Sequence, residues 1–302
     1  MRFVKTARRL LLPPWVRFLN KSLRSYRKLN SVVQEQCLPR LDFNPLRHKK
    51  SSDTLFILGS GSSVLTYTSE EWKTIADHDS LGFNYWILHP FVPTHYIFEL
   101  TKYDWDLACI TKNLVARTDL ASKSCIYLKD AERFDKSAIN DAIGALPGHI
   151  KKAIHLVWDA EIPGDTLQDF TRSVISLSRA GGFTGRRHWA IPKKRATLFF
   201  AINLAVRAGY KNIVLCGVDL NNTNYFFRAD EFLAPPNLCI PPEYQSGPIH
   251  KTNNPAHGEA TISAILDIFD RLVLQPRDIA LSVAKETSAL YPRFKAYFAS
   301  PE

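Results

Sequence analysis

Cysteine is sparse in this chain, and its spacing supports no framework. Cys37, Cys109, Cys125, Cys216 and Cys239 are odd in number, widely scattered and without a C-x-x-C pair. That argues against both a disulfide scaffold and a zinc site, and it suits a reducing, cytosolic setting. Long apolar runs are missing too. No stretch approaches the roughly 18 residues that a membrane-spanning helix needs, and the run Leu10 to Leu12 ends at Pro13-Pro14, too short for a signal-peptide core. Internal repeats and low-complexity tracts are absent. Residues 1–30 lack acid altogether while holding nine Lys or Arg, which leaves 30 basic against 29 acidic residues in the rest of the chain. The formal charge of +10 is therefore a property of one end. The nearly neutral body has no basic face to follow a phosphate backbone, and its aromatics do not interleave with Lys and Arg, so no nucleic-acid partner is expected.

What is present at the N-terminus is a mixture of cations with Phe3, Val4, Leu10, Leu11, Leu12, Trp15, Val16, Phe18 and Leu19. That composition suits a segment lying in an anionic lipid interface; the other reading is a solvated tail. The expected organisation is a basic N-terminal segment and linker over residues 1–50, followed by a catalytic α/β domain over 51–302. The expected location is cytoplasmic, peripheral on the inner face of the cytoplasmic membrane through residues 1–30.

With 302 residues and 45% apolar content, the chain is long enough to bury a large core. Thr54 to Leu58 is a continuous apolar run, and such runs mark strands buried on both faces of a sheet. Further runs predict strands at Ser80 to Asn84, His95 to Phe98, Ser124 to Leu128, Ile154 to Trp158, Ile213 to Cys216 and Ile279 to Val283. Helical patterns lie between most of them. In the clearest unit, Leu198, Phe199, Ile202, Leu204, Ala205 and Val206 recur at helical spacing, Gly209 stops the helix, and a buried strand follows. Strands alternating with helices imply a Rossmann-like, mostly parallel sheet with helices on both faces and ligands at the carboxyl ends of the strands. Ala229 to Asn254 carries five prolines and reads as a long lid or binding loop.

Three places could carry chemistry. Gly59-Ser60-Gly61-Ser62-Ser63 follows the first strand, where glycines let backbone N–H groups approach a phosphate and serines add hydroxyl donors. It lacks the third glycine of a dinucleotide fingerprint and the Gly-Lys-Ser/Thr of a P-loop. Gly217-Val218-Asp219 ends another strand and aims Asp219 at the ligand crevice, where a carboxylate can bind ribose, orient a base or attack as a nucleophile; Asn221 lies just beyond. His250 and His257 close the Pro-rich loop before a helix beginning near Thr261, and either suits a general base. With Glu259 they make no convincing metal set.

Together these residues resemble the bacterial CMP-sialic acid transferases of glycosyltransferase family 42 and the looser sialyltransferase-like and Kdo-transferase-like enzymes. The firmest piece is Lys194-Arg195-Ala196-Thr197, its helix, and Gly209-Tyr210-Lys211 through Gly217-Val218-Asp219. Gly59 to Ser63 looks like the family's phosphate-cradling loop, Phe83-Asn84 like its Cys-Asn step, and Ser288-Ala289-Leu290 like its C-terminal signature. The resemblance implies donor contacts from Asn84, Lys194, Arg195 and Thr197 and a base at His257, with His250 the competitor. Glu99 stands where the family tends to place a donor-contacting Asn, and Tyr225 and Tyr244 are the candidates for its paired tyrosines.

The implied activity is transfer of a sialic acid or Kdo-type 2-keto sugar acid from a CMP-sugar to a cell-surface glycan or lipid-linked acceptor. No metal or other cofactor is required. A histidine base gives inversion, whereas attack by Asp219 gives retention. Two other readings compete. One is an MptE-like, magnesium-dependent pyrophosphate transfer with Asp159, Glu161 and Asp165 as ligands, and the other is a nucleotide-binding protein without turnover.

Overall fold

The computed structural model describes residues 12–39, 41, 44–101, 104–129, 131–184, 189–242 and 249–298. Nine strands run along the described chain: β1 (Thr54–Leu58), β2 (Asp79–Phe83), β3 (His95–Glu99), β4 (Cys125–Lys129), β5 (Ile154–Leu156), β6 (Asp159–Glu161), β7 (Ile191–Lys193), β8 (Asn212–Cys216) and β9 (Ala280–Val283). Seven of them form one parallel sheet in the order β5-β4-β3-β2-β1-β8-β9. All seven strands expected from the apolar runs are present, within one or two residues at most ends. β1 is buried at all five positions, as a strand covered on both faces must be.

The order of the strands fixes where a ligand can sit. From β1 the chain steps outward through β2, β3, β4 and β5, then returns to place β8 and β9 on the other side of β1. Right-handed crossovers therefore put the two sets of connecting helices on opposite faces, and their loops part at the carboxyl ends of β1 and β8. The Thr197–Ala208 helix feeds β8 and is buried at every residue, which its apolar circumference allows. Gly209 ends it with φ of 81°. The Ser69–Ala76 helix opens on a capping box between Thr68 and Glu71, and Thr261 caps the Ile262–Phe269 helix. The described part of the Pro-rich stretch, 229–242 and 249–254, has neither α-helix nor strand.

Two features depart from expectation. β6 and β7, not expected from the apolar runs, pair as a separate two-stranded parallel sheet, and Asp159 is fully buried there against Lys193 at 2.9 Å. Second, Pro14–Glu35 is a helix that buries Phe18, Ser22, Ser25, Leu29, Val32 and Val33. Trp158 Nε1 donates to Ser22 O at 2.9 Å, and Phe18 stacks on Trp189. Over these residues the solvated-tail alternative does not hold, because the helix covers one side of the α/β body. Residues 1–11 lie outside the described part. Among the described residues no helix is long and apolar enough to cross a membrane.

Candidate functional site

A cleft of about 920 Å³ opens at the carboxyl ends of β1 and β8. Of the residues singled out from the sequence, Gly59, Ser60, Gly61, Asn84, Glu99, Lys194, Arg195, Thr197, Gly217, Asp219 and His250 line it. Ser62, Ser63, Asn221 and His257 do not.

The first wall is made by two loops packed on each other. A Cβ at Gly59 would stand 2.7 Å from Gly217 O, one at Gly217 would stand 2.4 Å from Gly59 O, and one at Gly61 would stand 2.5 Å from Asp219 Oδ2. Gly217 also has φ of 60°, a conformation glycine tolerates best. The glycines therefore serve loop-to-loop contact while the same segment lines the cleft. Gly59 N–H donates to Cys216 O, Gly61 N–H to Gly217 O and Ser62 N–H to Asn224 O, at 2.7, 2.9 and 3.1 Å. Ser63 gives its N–H and hydroxyl to the two oxygens of Asp219, at 3.1 and 2.5 Å. Within Gly59 to Ser63, only Ser60 keeps both its N–H and its hydroxyl without a hydrogen bond among the described residues.

Asp219 is accordingly a strut. Burial pushes its carboxyl above the ordinary range, and Ser63 opposes that shift. Each carboxylate oxygen accepts one hydrogen bond from Ser63, so attack on a sugar would have to disturb the contact that joins the two loops. Ser288 Oγ donates to Val218 O at 2.6 Å and Ala289 N–H to Asp219 O at 2.8 Å, so the C-terminal motif braces the same loop from behind. Asn221 points away from the cleft, donating to Thr287 O at 3.0 Å.

The cations are also committed. Lys194 Nζ donates to Gly164 O at 2.6 Å and sits 3.5 Å from Glu161 Oε1. Arg195, itself at φ of 63°, spends its guanidinium on three backbone carbonyls: Thr252 O at 3.3 Å, His257 O at 2.6 Å and Lys251 O at 3.1 Å. Neither meets the expectation of a free phosphate ligand; Arg195 instead clamps the 251–257 segment to the cleft. Glu99 accepts from Lys129 Nζ at 3.0 Å and from Thr197 Oγ1 at 3.1 Å, which joins β3, β4 and the start of the Thr197–Ala208 helix. Sequence reading missed Lys129, whose only signal was its place at the end of β4, in register with Glu99.

Three of the six non-glycine residues with positive φ among those described, Asn84, Arg195 and Leu220, line the cleft. Such conformations concentrate at functional sites because the surrounding packing must hold them. Asn84 Oδ1 is buried with no hydrogen-bond partner, while its backbone carbonyl accepts from Tyr96 Oη. An orphaned acceptor at a cleft wall is a ready seat for a donor group of a ligand.

Of the two histidines, the structure brings only His250 into the cleft. Its Nδ1 lies 2.8 Å from Thr252 Oγ1 and 3.4 Å from Thr252 N, and its Nε2 lies 3.4 Å from Tyr225 Oη. Burial, helped by the charge of Lys251, pushes its pKa down to about 4. The ring is therefore neutral at ordinary pH. His257 is exposed in a short 3₁₀ turn, and its role is the carbonyl that Arg195 grips. Tyr244 lies outside the described residues.

The acids proposed for magnesium do not converge. Asp159 is buried on Lys193, Glu161 lies between Lys194 and Lys21, and the Asp165 side chain is fully exposed. Among the described residues that line the cleft, six cations (Lys129, Arg133, Lys193, Lys194, Arg195, Lys251) face four acids (Glu99, Asp106, Glu161, Asp219), a balance that favours an anionic ligand.

No family model matches this chain, and no curated protein matches it by sequence. Among solved structures, it is similar to the monofunctional alpha-2,3-sialyltransferase Cst-I of Campylobacter jejuni, at 12% identity over 82% of each chain with a TM-score of 0.45. It is also similar to the sialyltransferase CstII of the same organism in complex with the substrate analogue CMP-3FNeuAc, at 14% identity over 80% of this chain and 85% of that one, TM-score 0.42. A further CstII structure, with a trisaccharide acceptor and CMP, is 13% identical over the same shares, TM-score 0.41. These are likenesses of overall shape at low identity, and the functional reading rests on the residues of the cleft itself.

Proposed function

We propose that this chain is a glycosyltransferase that moves a sialic acid or Kdo-type 2-keto sugar acid from a CMP-linked donor to a glycan or lipid-linked acceptor, with inversion and without a metal. The observation that carries the reading is His250, a half-buried imidazole placed by Thr252 and Tyr225 in a cleft whose described lining holds more cations than acids. The ring serves as base in the tautomer with its proton on Nδ1, shared with Thr252 Oγ1 at 2.8 Å in place of the weak contact from Thr252 N–H at 3.4 Å, which leaves a lone pair on Nε2 towards Tyr225 and the cleft. That lone pair takes the proton of the acceptor hydroxyl as the oxygen attacks the anomeric carbon and the C–O bond to the nucleotide phosphate breaks. A bound donor brings a phosphate and a carboxylate, and nearby anions favour the imidazolium, so the pKa of about 4 rises toward the working range once the complex forms.

Ser60 and Asn84 offer the ligand contacts that the fold has not already used, an N–H and a hydroxyl from one and a carbonyl from the other. Asp219 and Arg195 act by position, the first holding the Gly59–Ser63 wall and the second holding His250 in place.

The test is turnover of CMP-sialic acid and CMP-Kdo with a broad glycan acceptor panel, followed as CMP release. His250→Ala should lower kcat by about 10²–10⁴-fold, the usual contribution of general-base catalysis, with the melting temperature little changed. His257→Ala should stay within about fivefold of the parent. The reverse pattern, or no CMP release from either donor, overturns the assignment.

A further inference from the structure

Arg17, Lys21, Arg24 and Lys28 recur along the Pro14–Glu35 helix at intervals of four, three and four residues, which keeps them on one stripe. Two of them fix where the stripe lies. Lys21 Nζ is 3.9 Å from Glu161 Oε2, and Lys28 Nζ donates to Phe134 O at 2.5 Å. Glu161 and Phe134 both line the cleft. The stripe therefore follows the cleft rim.

Little acid opposes it. Glu35 is the sole acid of the helix and pairs with Lys136. On the neighbouring elements, Asp169 pairs with Arg172, Glu161 is shared by Lys21 and Lys194, and Asp165 is exposed near Lys194. Arg24 and Arg27 are exposed to solvent. Beside them Leu23 is exposed by 47%, and at the N-terminal end of the helix Leu12 and Trp15 are exposed by 38 and 37%. An open groove of about 560 Å³ next to Trp15 adds Arg172 and Arg179 from the Leu167–Arg179 helix. Arg2, Lys5, Arg8 and Arg9, with no acid among them, precede the helix at this same end.

Exposed apolar side chains interleaved with unneutralised cations are the mark of a helix that lies in an anionic bilayer interface. We propose that the outer side of the Pro14–Glu35 helix docks on anionic phospholipid headgroups. Arg24 and Arg27 meet the phosphates, and Leu23 enters the interface beside them. The docking does not rest on the glycosyltransferase reading.

The test is cosedimentation of the full chain with phosphatidylcholine vesicles, with and without about 30% phosphatidylserine. Binding should require phosphatidylserine and should be lost at high salt. Near a charged surface each basic residue is worth roughly fivefold in partitioning, so Arg24→Gln with Arg27→Gln should weaken binding about 25-fold at an unchanged melting temperature. Removing residues 1–11 should weaken it further but leave a salt-sensitive remainder. Equal binding to neutral vesicles overturns the proposal, as does a double variant that binds like the parent. Displacement by inorganic phosphate beyond what chloride achieves at matched ionic strength also overturns it, because a free-anion site then explains the cations.

Discussion

On the strand-end wall of the cleft, Gly59–Ser63 and Gly217–Asp219 bind each other through backbone contacts so close that no Cβ fits between them. On the loop wall, residues 250–257 have only a short 3₁₀ turn of their own and are held by the Arg195 guanidinium together with bonds from His250 N–H to Leu220 O, Ile262 N–H to Thr252 O and Ser263 to Asn253. The first wall is rigid because its polar groups are satisfied within it, and for the same reason it has few left to offer a ligand. The second wall keeps its reactive group, His250, by borrowing order from Arg195. Damage to the first should appear as lost stability, and damage to the second as lost activity.

The largest expected effect is at Gly217. Gly217→Ala adds a Cβ 2.4 Å from Gly59 O at a backbone conformation that alanine resists, and should cost about 3 kcal/mol or more in denaturant unfolding. A cost below about 1 kcal/mol would mean that the two loops are not locked together. A smaller effect on stability and a larger one on turnover belong to Arg195. Arg195→Gln breaks partly exposed bonds and should cost about 1 kcal/mol of stability, while lowering kcat/KM by about 10–100-fold through misplaced His250. If the variant instead melted far below the parent with its remaining activity intact, the contrast between the walls would fail.

The sheet was legible because its strands are doubly buried. Runs such as Thr54 to Leu58 and Ile213 to Cys216 leave no solvent-facing position to break the apolar pattern. β6 and β7 escaped for the opposite reason: at three residues each, with Asp159, Glu161, Pro192 and Lys193 among them, they make no apolar run. The Pro14–Glu35 helix was obscured by its cations, although Phe18, Ser22, Ser25, Leu29 and Val32 keep helical spacing on its buried side.

At the site, sequence placed the right segments around one cleft but assigned several side chains the wrong work. Ser63 and Asp219 are 156 residues apart, and Arg195 reaches across 56 to 62 residues to its three carbonyls. No local pattern shows that a charge at a strand end is already consumed by such partners. His250 and His257 differ in burial alone, a property of the tertiary fold and not of the loop that carries both.

The central claim, a metal-independent CMP-sugar site, is tested most directly by the melting temperature of the purified full chain with CMP, CDP, UDP, GDP and ATP, each with and without magnesium. A ligand at about 100 times its Kd stabilises the folded state by about 2.7 kcal/mol, enough to raise the melting point by several degrees. CMP is expected to do this selectively and equally well without magnesium. Stabilisation by ATP or GDP only in the presence of magnesium, with CMP inert, would contradict it.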